Sequence, residues 1–306
     1  MNKVQIKNAT LYNADCLIEN IQILSGSVDL IITDLPYGTM KGANLDGWKG
    51  VKTDWDVMIP IPDIMQIANR ILRKNGKMIL FAQQPFTTKL IVNQIPNLPH
   101  CYNMYWDKMH FANALFTNKA PVSYIEDILV FSKSYDLEGL HPLRTYFKLV
   151  MDFIGLNLKQ INNKLGHRKA EHTFYINSTQ YELCVQKTYD ELINVFGIDK
   201  MEGFKTFIEL ESINSTFNST FNLGEGEKYK SNILKYKKDF SGFHPTQKPV
   251  ALLEDLIKTF SNKNNLVVDL TMGSGSAGIA CAKGGRKFIG IEKDENYYDV
   301  AVRRCS

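Results

Sequence analysis

The chain has no apolar run long enough to span a bilayer, so a helical membrane anchor is not expected. Met1-Asn2-Lys3-Val4-Gln5-Ile6-Lys7 lacks the apolar core of a secretory signal. The five cysteines (Cys16, Cys101, Cys184, Cys281 and Cys305) are scattered, with no C-x-x-C pair. Disulfides, zinc and other metal sites are therefore not expected, and a reducing cytoplasm is. Excess charge of one sign is scarce too. Lys+Arg 36 against Asp+Glu 32 leaves +4, which does not by itself announce a polyanionic partner. One segment is locally basic (Lys228, Lys230, Lys235, Lys237, Lys238), and such a run is equally well a solvated face. No Walker-type lysine follows the glycine-rich turn near residue 273, and Gly273, Gly275 and Gly278 meet a dinucleotide loop's spacing only loosely. ATP and NAD readings are weakened accordingly.

What is present is an interrupted α/β pattern. Its 44% hydrophobic and 22% charged residues are ordinary for a globular chain, and 306 residues allow one large domain or a core plus a smaller module. Ala9 to Tyr12, Val28 to Thr33, Lys77 to Phe81, Asn103 to Trp106 and Ile125 to Phe131 read as strands, with a helix from Ile61 to Leu72 stopped by Asn75-Gly76. From 140 to 239 the chain turns polar and helical. Asn157 to Leu165, Gly166, and Lys169 to Tyr175 read as helix, turn and second helix, followed by a helix from Lys187 to Phe196 and a loop from Ser212 to Gly226. The α/β pattern then resumes, with a helix over Pro249 to Phe260, a strand over Leu266 to Leu270, a helix over Ala277 to Lys283, a strand over Lys287 to Ile291 and a closing helix over Tyr297 to Arg304. The expected organisation is one α/β domain in two parts, 1–139 and 240–306, around a helical insert, 140–239.

Two strand ends carry chemistry. Asp34-Leu35-Pro36-Tyr37 follows the β-branched run Val28 to Thr33, and open α/β sheets place ligands at such carboxyl ends. A carboxylate, a carbonyl held before proline and an aromatic ring can together grip a flat ring bearing an exocyclic amine. Asp269-Leu270-Thr271-Met272-Gly273-Ser274-Gly275-Ser276 lies between a strand and a helix. Its glycines allow close backbone approach, and the helix N-terminus favours a carboxylate or phosphate. Glu292 ends the next strand, where an acid can accept from ribose hydroxyls. Alone, the loop is equally a plain strand-to-helix turn. Taken with the amine clamp, loop and acid suit a nucleoside cofactor with a carboxylate, S-adenosylmethionine, better than a dinucleotide. Upstream, His244-Pro245-Thr246-Gln247-Lys248-Pro249 is either surface loop or a cap over the cofactor's methionine end. Asp15, followed by Cys16, ends a strand that can neighbour Glu292 and touch the adenine amine, or it is a helix N-cap.

These residues resemble the DNA amino-methyltransferases, which modify adenine N6 or cytosine N4. That family has a D/N/S-P-P-Y catalytic tetrapeptide, here Asp34 to Tyr37, and a D-P-F-x-G-S-G-T cofactor loop, here Asp269 to Ser276. The order, catalytic motif first with a large insert between, is similar to the β group. The stretches Tyr105-Trp106-Asp107-Lys108, Glu126-Asp127-Ile128-Leu129-Val130-Phe131 and His244 to Pro249 resemble the family as well. The insert, from Gly166 through His172, Tyr175 and Tyr189, looks like the helix-turn-helix recognition regions of some bacterial and prophage adenine methyltransferases. There are departures. Leu35 stands where proline is usual, and Leu270 and Thr271 replace Pro-Phe, so the loop aromatic that can flank the adenine is missing.

The resemblance implies a Rossmann-like S-adenosylmethionine-dependent methyltransferase sheet in circularly permuted motif order with a target-recognition insert. It implies base flipping in double-stranded DNA and a prophage or restriction-modification setting. Asp34, Leu35, Pro36 and Tyr37 become the catalytic set. Asp15, Cys16, Asp34, His244, Thr246, Lys248, Asp269, Thr271, Met272, Gly273, Ser274, Gly275, Ser276 and Glu292 become the cofactor set. Arg168, Lys169 and His172 become candidate DNA contacts, unless the insert is an ordinary bundle with solvated charges. A homodimer and a cognate restriction nuclease are compatible partners. An aspartate at the head of the motif points to adenine N6. Cytosine N4 is the alternative, followed by RNA or a protein amide, and by a DNA-binding regulator on an inactive scaffold. The reading requires the two motifs side by side and Asp34 not locked inward in an ion pair.

Overall fold

A computed structural model describes residues 2–38, 57–112, 118, 121–239 and 247–306. His244 and Thr246 lie outside the described residues, so their expected roles rest on sequence alone. The chain divides into two compact units, residues 1–134 with 220–306, and residues 135–219.

The first unit is built on one nine-stranded sheet. In chain order its strands are β1 (Asn2–Ile6), β2 (Ala9–Asn13), β3 (Val28–Thr33), β4 (Leu72–Ala82), β5 (His100–Ala112), β6 (Ser123–Ser132), β7 (Ile233–Lys235), β8 (Leu266–Asp269) and β9 (Lys287–Glu292). Their order across the sheet is β1-β2-β9-β8-β3-β4-β6-β5-β7. The centre is parallel: β3 pairs with both β4 and β8, and β9 pairs with both β8 and β2. β6 runs antiparallel to β4 and β5. Two helices, α2 (Ile61–Ile71) and α3 (Phe86–Val92), cover one face. Ile64, Met65 and Leu90 pack there against Ile31, Met78, Leu80 and Phe131. The other face carries α8 (Val250–Phe260), α9 (Ser276–Gly284) and α10 (Glu295–Cys305), with Leu256, Ala280 and Ala301 against Leu30, Ile32, Phe81 and Ile128. Alternation along each strand sorts residues onto the two faces, and burial on both sides explains the near-continuous apolar reading of β3 and β8. A short helix, α1 (Cys16–Glu19), follows β2. No helix among the described residues is long and apolar enough to cross a membrane.

The sheet is larger than its sequence signals. β1 and α3 carried none, and β4 begins at Leu72 rather than Lys77, running through Asn75, whose φ of 65° marks a local irregularity. β7 lies inside the stretch 140–239 expected to be insert, yet pairs with β5 through Tyr105↔Ile233 and Asp107↔Lys235. Lys230 and Tyr236 both bond the Asp255 carboxylate on α8, at 2.5 and 3.0 Å. The insert therefore ends near 219, and part of the basic run from Lys228 to Lys238 anchors the sheet edge rather than forming a solvated face.

The second unit packs α4 (Leu143–Ile154), α5 (Leu158–Leu165), α6 (Gln186–Phe196) and α7 (Phe207–Ser215) around Phe147, Ile161, Tyr189, Leu192 and Leu210. Asn157 with Gln160 and Thr206 with Glu209 form capping boxes, and Gly155, Gly166 and Gly197 end α4, α5 and α6 in the left-handed region. α7 enters the stretch expected to be loop from Ser212. The second helix expected over Lys169 to Tyr175 is instead a single 3-10 turn, Glu171–Phe174, held by i+3 bonds from Thr173 N–H to the Ala170 carbonyl and from Tyr175 N–H to the His172 carbonyl. A helix-turn-helix with two full α-helices is not what this segment forms.

Candidate active site

The register of the sheet puts the two chemistry-bearing strand ends next to each other. β3 delivers Asp34 and β8 delivers the loop from Asp269, and the two are hydrogen-bonded neighbours through Leu30↔Val267 and Ile31↔Val268. Threonines close the seam. Thr271 Oγ1 donates to the Asp34 carbonyl at 2.9 Å and lies 2.7 Å from Thr33 Oγ1. So Thr271, which removes the family's loop aromatic, fastens the catalytic turn to the cofactor loop.

Asp34 sits in a buried charge cluster drawn from its own turn and three other places in the chain. Tyr37 donates its hydroxyl to Asp34 Oδ1 at 3.0 Å and lies 3.4 Å from Glu126 Oε1, while its ring packs on Phe86 at 5.2 Å. Lys248 Nζ contacts Asp34 Oδ2 and, at 3.0 Å, Glu126 Oε1. Lys108 Nζ binds Glu126 Oε2 at 2.8 Å and lies over the Trp106 ring. Strand alternation explains the convergence: Lys108 follows Trp106 by two residues, Glu126 precedes Ile128 by two, and Trp106 and Glu126 are paired across β5 and β6. Two carboxylates and two ammoniums cancel in formal charge. Burial, with Glu126 adding, pushes the Asp34 carboxyl above its usual range against the pull of Lys248. Burial alone would raise Glu126, but Lys248 and Lys108 outweigh it and hold it below the usual range. Lys248 is held above the lysine range, because Asp34 and Glu126 overcome its burial.

The ion pair on Asp34 departs from expectation, and Lys248, expected either on a surface loop or over the cofactor's methionine end, is buried against Asp34. A buried lysine must be neutralised, and the segment entering α8 brings it to the nearest carboxylates. The pairing does not seal the acid away: the Asp34 side chain stays 25% accessible, against 8% for Lys248. Leu35 is fully buried, and Tyr37 is half-buried.

The cofactor side is held mainly by backbone. Gly273 N–H and Asp294 N–H donate to the two oxygens of Glu292 at 2.9 and 2.8 Å, fixing that carboxylate at the tip of β9. The Met272 N–H bonds the Ile291 carbonyl. Ala14 N–H donates to the Glu292 carbonyl, so the end of β2 lies beside β9. Asp15 caps α1 through the Leu17 N–H at 2.9 Å, with Lys293 at 3.0 Å on its other oxygen. The cap and the neighbourhood of Glu292 thus both hold for Asp15. Burial pushes the Cys16 thiol beside it up to about 12, an inert side chain. Gly275, at φ +81°, caps α9, and a Cβ there would meet Ala301 Cβ at 3.0 Å; it serves packing against α10 as much as ligand approach.

A model of the N6/N4 DNA methylase family matches residues 28–303. The chain belongs to this family. It is 26% identical to the DNA adenine methyltransferase YhdJ of Escherichia coli (strain K12), over 96% of this chain and 82% of that protein. Among solved structures it resembles M1.HpyAVI in complex with SAM, with a TM-score of 0.54, 19% identity, and 97% and 100% of the two chains covered. It also resembles the cytosine-N4-specific PvuII DNA methyltransferase, with a TM-score of 0.55, 14% identity, and 98% and 87% covered. At those identities the structural likeness is one of fold.

The methylase uses S-adenosylmethionine, and its residues suit that group. Glu292, fixed by two backbone amides at the tip of β9, would accept from ribose hydroxyls, and the glycine turn at Gly273 lets a ligand approach the backbone closely. Ser274 and Ser276, expected at the cofactor, are bonded by Arg304 of α10. Arg304 Nη1 donates to the Ser274 carbonyl at 2.7 Å, to Ser274 Oγ at 2.8 Å and to Ser276 Oγ at 3.2 Å. This arginine thus pins the glycine turn, and sequence reading gave Arg304 no role. It gave none to Lys108 or Glu126 either, although both lie in family-like stretches. Their parity with Trp106 and Ile128 was the available signal. Asp269 is buried and accepts from the Thr271 N–H at 3.1 Å. Burial, with Asp34 and Glu292 adding, pushes its carboxyl up to about 7.

In the second unit Arg168 is tied to Glu171 by two bonds of 2.7 Å. His172 packs on Tyr175 and its Nδ1 lies 3.0 Å from the Gln180 carbonyl. Lys169 is exposed on the same turn.

Proposed function

We propose that this DNA methylase modifies adenine N6 at specific sites in duplex DNA, on a base flipped out of the helix. The observation that carries the reading is the seam between Thr271 and the Asp34 carbonyl, which fixes an amine clamp beside the cofactor loop. An aspartate at the head of the clamp and the adenine specificity in the name of the E. coli relative support adenine over cytosine.

The sulfonium supplies an already activated methyl group. The chain's own residues do the rest. Asp34 and the Leu35 carbonyl accept the two hydrogens of the target amine. This pulls its nitrogen toward tetrahedral geometry and stabilises the positive charge that grows there. As the new N–C bond forms and the C–S bond breaks, the amine becomes acidic and loses its proton afterwards. Tyr37, held by its hydroxyl on Asp34, stacks on the base, worth about 1–3 kcal/mol. A base inside a duplex cannot reach such a site, hence flipping. Gly273 and Glu292 hold the nucleoside end of the cofactor. Arg168, Lys169 and His172 meet the DNA. The substrate places the enzyme in the cytoplasm, and the restriction-modification reading adds a homodimer and a cognate nuclease as partners.

Asp34→Ala is expected to bind S-adenosylmethionine and transfer nothing, and turnover at the original rate in that variant overturns the mechanism. Digesting methylated DNA to nucleosides decides the target, with N4-methylcytosine overturning adenine.

A further inference from the structure

The ammonium of Lys248 stands on the carboxylate oxygen that a target amine needs. It contacts Asp34 Oδ2 on one side and Glu126 Oε1 on the other, over the Phe81 ring, with 8% of its side chain accessible. Leaving the cluster would strand a buried cation, at a cost of several kcal/mol. It need not leave, because Glu126 is already in contact. Glu126 in turn is braced on its other oxygen by Lys108 at 2.8 Å.

We propose that Lys248 is a shared counter-ion that frees Asp34 for the target amine by closing onto Glu126, and that Glu126, braced by Lys108, is the positioning residue for this hand-over. The proposal rests on the reading of Asp34 as the amine clamp. In the free enzyme Lys248 pulls the Asp34 carboxyl toward its ionised form, against its burial. When the amine arrives, one of its N–H groups replaces the ammonium at Asp34 while the other goes to the Leu35 carbonyl, and Lys248 keeps one carboxylate throughout. No covalent bond changes in the hand-over.

The groups around Asp34 set the sign of its pH response. Tyr37 faces it from its own turn, Glu126 from β6, Lys108 from β5, Lys248 from the entry to α8, and Asp269 from β8. Lys238 lies beyond them, lowered by its burial and by Lys108. Lys248 favours the ionised Asp34, whereas Glu126 opposes it. Removing the lysine therefore protonates Asp34 at higher pH, and removing the Glu126 charge ionises it at lower pH.

The test is the single-turnover rate of methyl transfer against pH, with the full chain, labelled S-adenosylmethionine and DNA from a methylation-deficient host. Lys248→Met is expected to move the acid limb to higher pH, and Lys248→Arg to move it back. Glu126→Gln is expected to move it to lower pH while the plateau rate falls about tenfold or more, because Lys248 is left with Asp34 alone. A general loss of structure would not drive the two limbs apart. If Glu126→Gln does not fold, Glu126→Gln/Lys108→Met removes one charge of each sign and is compared with Lys108→Met for the same downward shift. Limbs that stay put, or move the same way, overturn the hand-over. Asp34→Ala run alongside separates the failures: if it still transfers, the clamp reading itself falls, and if it is dead while the limbs do not part, only the hand-over does.

Discussion

The tip of β3 and the loop after β8 lie side by side, yet they are held by opposite means. Around the Asp34 carboxylate the partners are ionisable side chains, Tyr37 and Lys248, with Glu126 and Lys108 behind them. Around Gly273 they are mostly main chain, with amides of Gly273 and Asp294 on Glu292 and the Met272 amide on the Ile291 carbonyl, closed by one arginine. A net of buried charges responds to protonation and can exchange partners, which an amine clamp needs. A net of amides does neither, which suits a cradle for a cofactor that must bind the same way at every turnover. The difference teaches that adjacent halves of one pocket can be built for exchange on one side and for constancy on the other.

The sharpest way to break this contrast is Arg304→Ala. One cation holds three oxygens of Ser274 and Ser276, and hydrogen bonds from a charged donor contribute about 1.5–3 kcal/mol each without adding fully. We expect a loss of about 3 kcal/mol in stability and at least tenfold weaker S-adenosylmethionine binding by calorimetry. The acid limb of methyl transfer at saturating cofactor should stay where it is. A shift of that limb would mean that the two halves are electrostatically one.

Asp269 sits at the border, and its effect within any one pH unit is smaller. Burial raises its folded carboxyl to about 7 from the usual aspartate value of 3.8. Between those values the folded chain binds more protons than the unfolded one, so this residue lowers stability as pH rises from about 4 to about 7. Asp269→Asn removes that contribution. Unfolding by urea at several pH values across the window should show stability falling less steeply with pH in the variant, by up to about 1 kcal/mol per pH unit. Parallel curves for the two proteins would show that Asp269 is ionised in the fold.

How much of this was legible in the sequence follows the same divide. Asp34 to Tyr37, Asp269 to Ser276 and Glu292 stand on continuous stretches whose periodicity and glycines place them at strand ends, and the sheet keeps them there. The Asp34 cluster was not legible, because its members meet only through sheet order: Glu126 lies 89 residues from Tyr37, on β6, with β4 between it and β3. Lys248 was read as surface loop or cofactor cap and not as a partner of Asp34, since nothing local says which strand tip the segment before α8 crosses. β7 has three residues among lysines, too short for alternation to show, so the insert was drawn twenty residues too long at its end, 239 against 219. The turn after Gly166 was drawn as a helix because its composition is helical, although i+3 bonding and the Arg168–Glu171 pair close it after four residues.

That turn carries the mildest test. Arg168 has a carboxylate partner at 2.7 Å and His172 a backbone partner, whereas Lys169 is exposed on the same turn. Of the three candidates for DNA contact, Lys169 therefore gives up least inside the protein by meeting a phosphate. A lysine on a phosphate adds about 0.9 to the slope of log affinity against log salt for duplex DNA and carries no base preference. Lys169→Ala should weaken duplex binding a few-fold at low salt and reduce the slope by about one, with transfer at saturating DNA unchanged. Binding titrations at several salt concentrations read both. An unchanged slope would remove Lys169 from the DNA, and with it the expectation that this turn, short of a true second helix, is the part of the insert that meets the duplex.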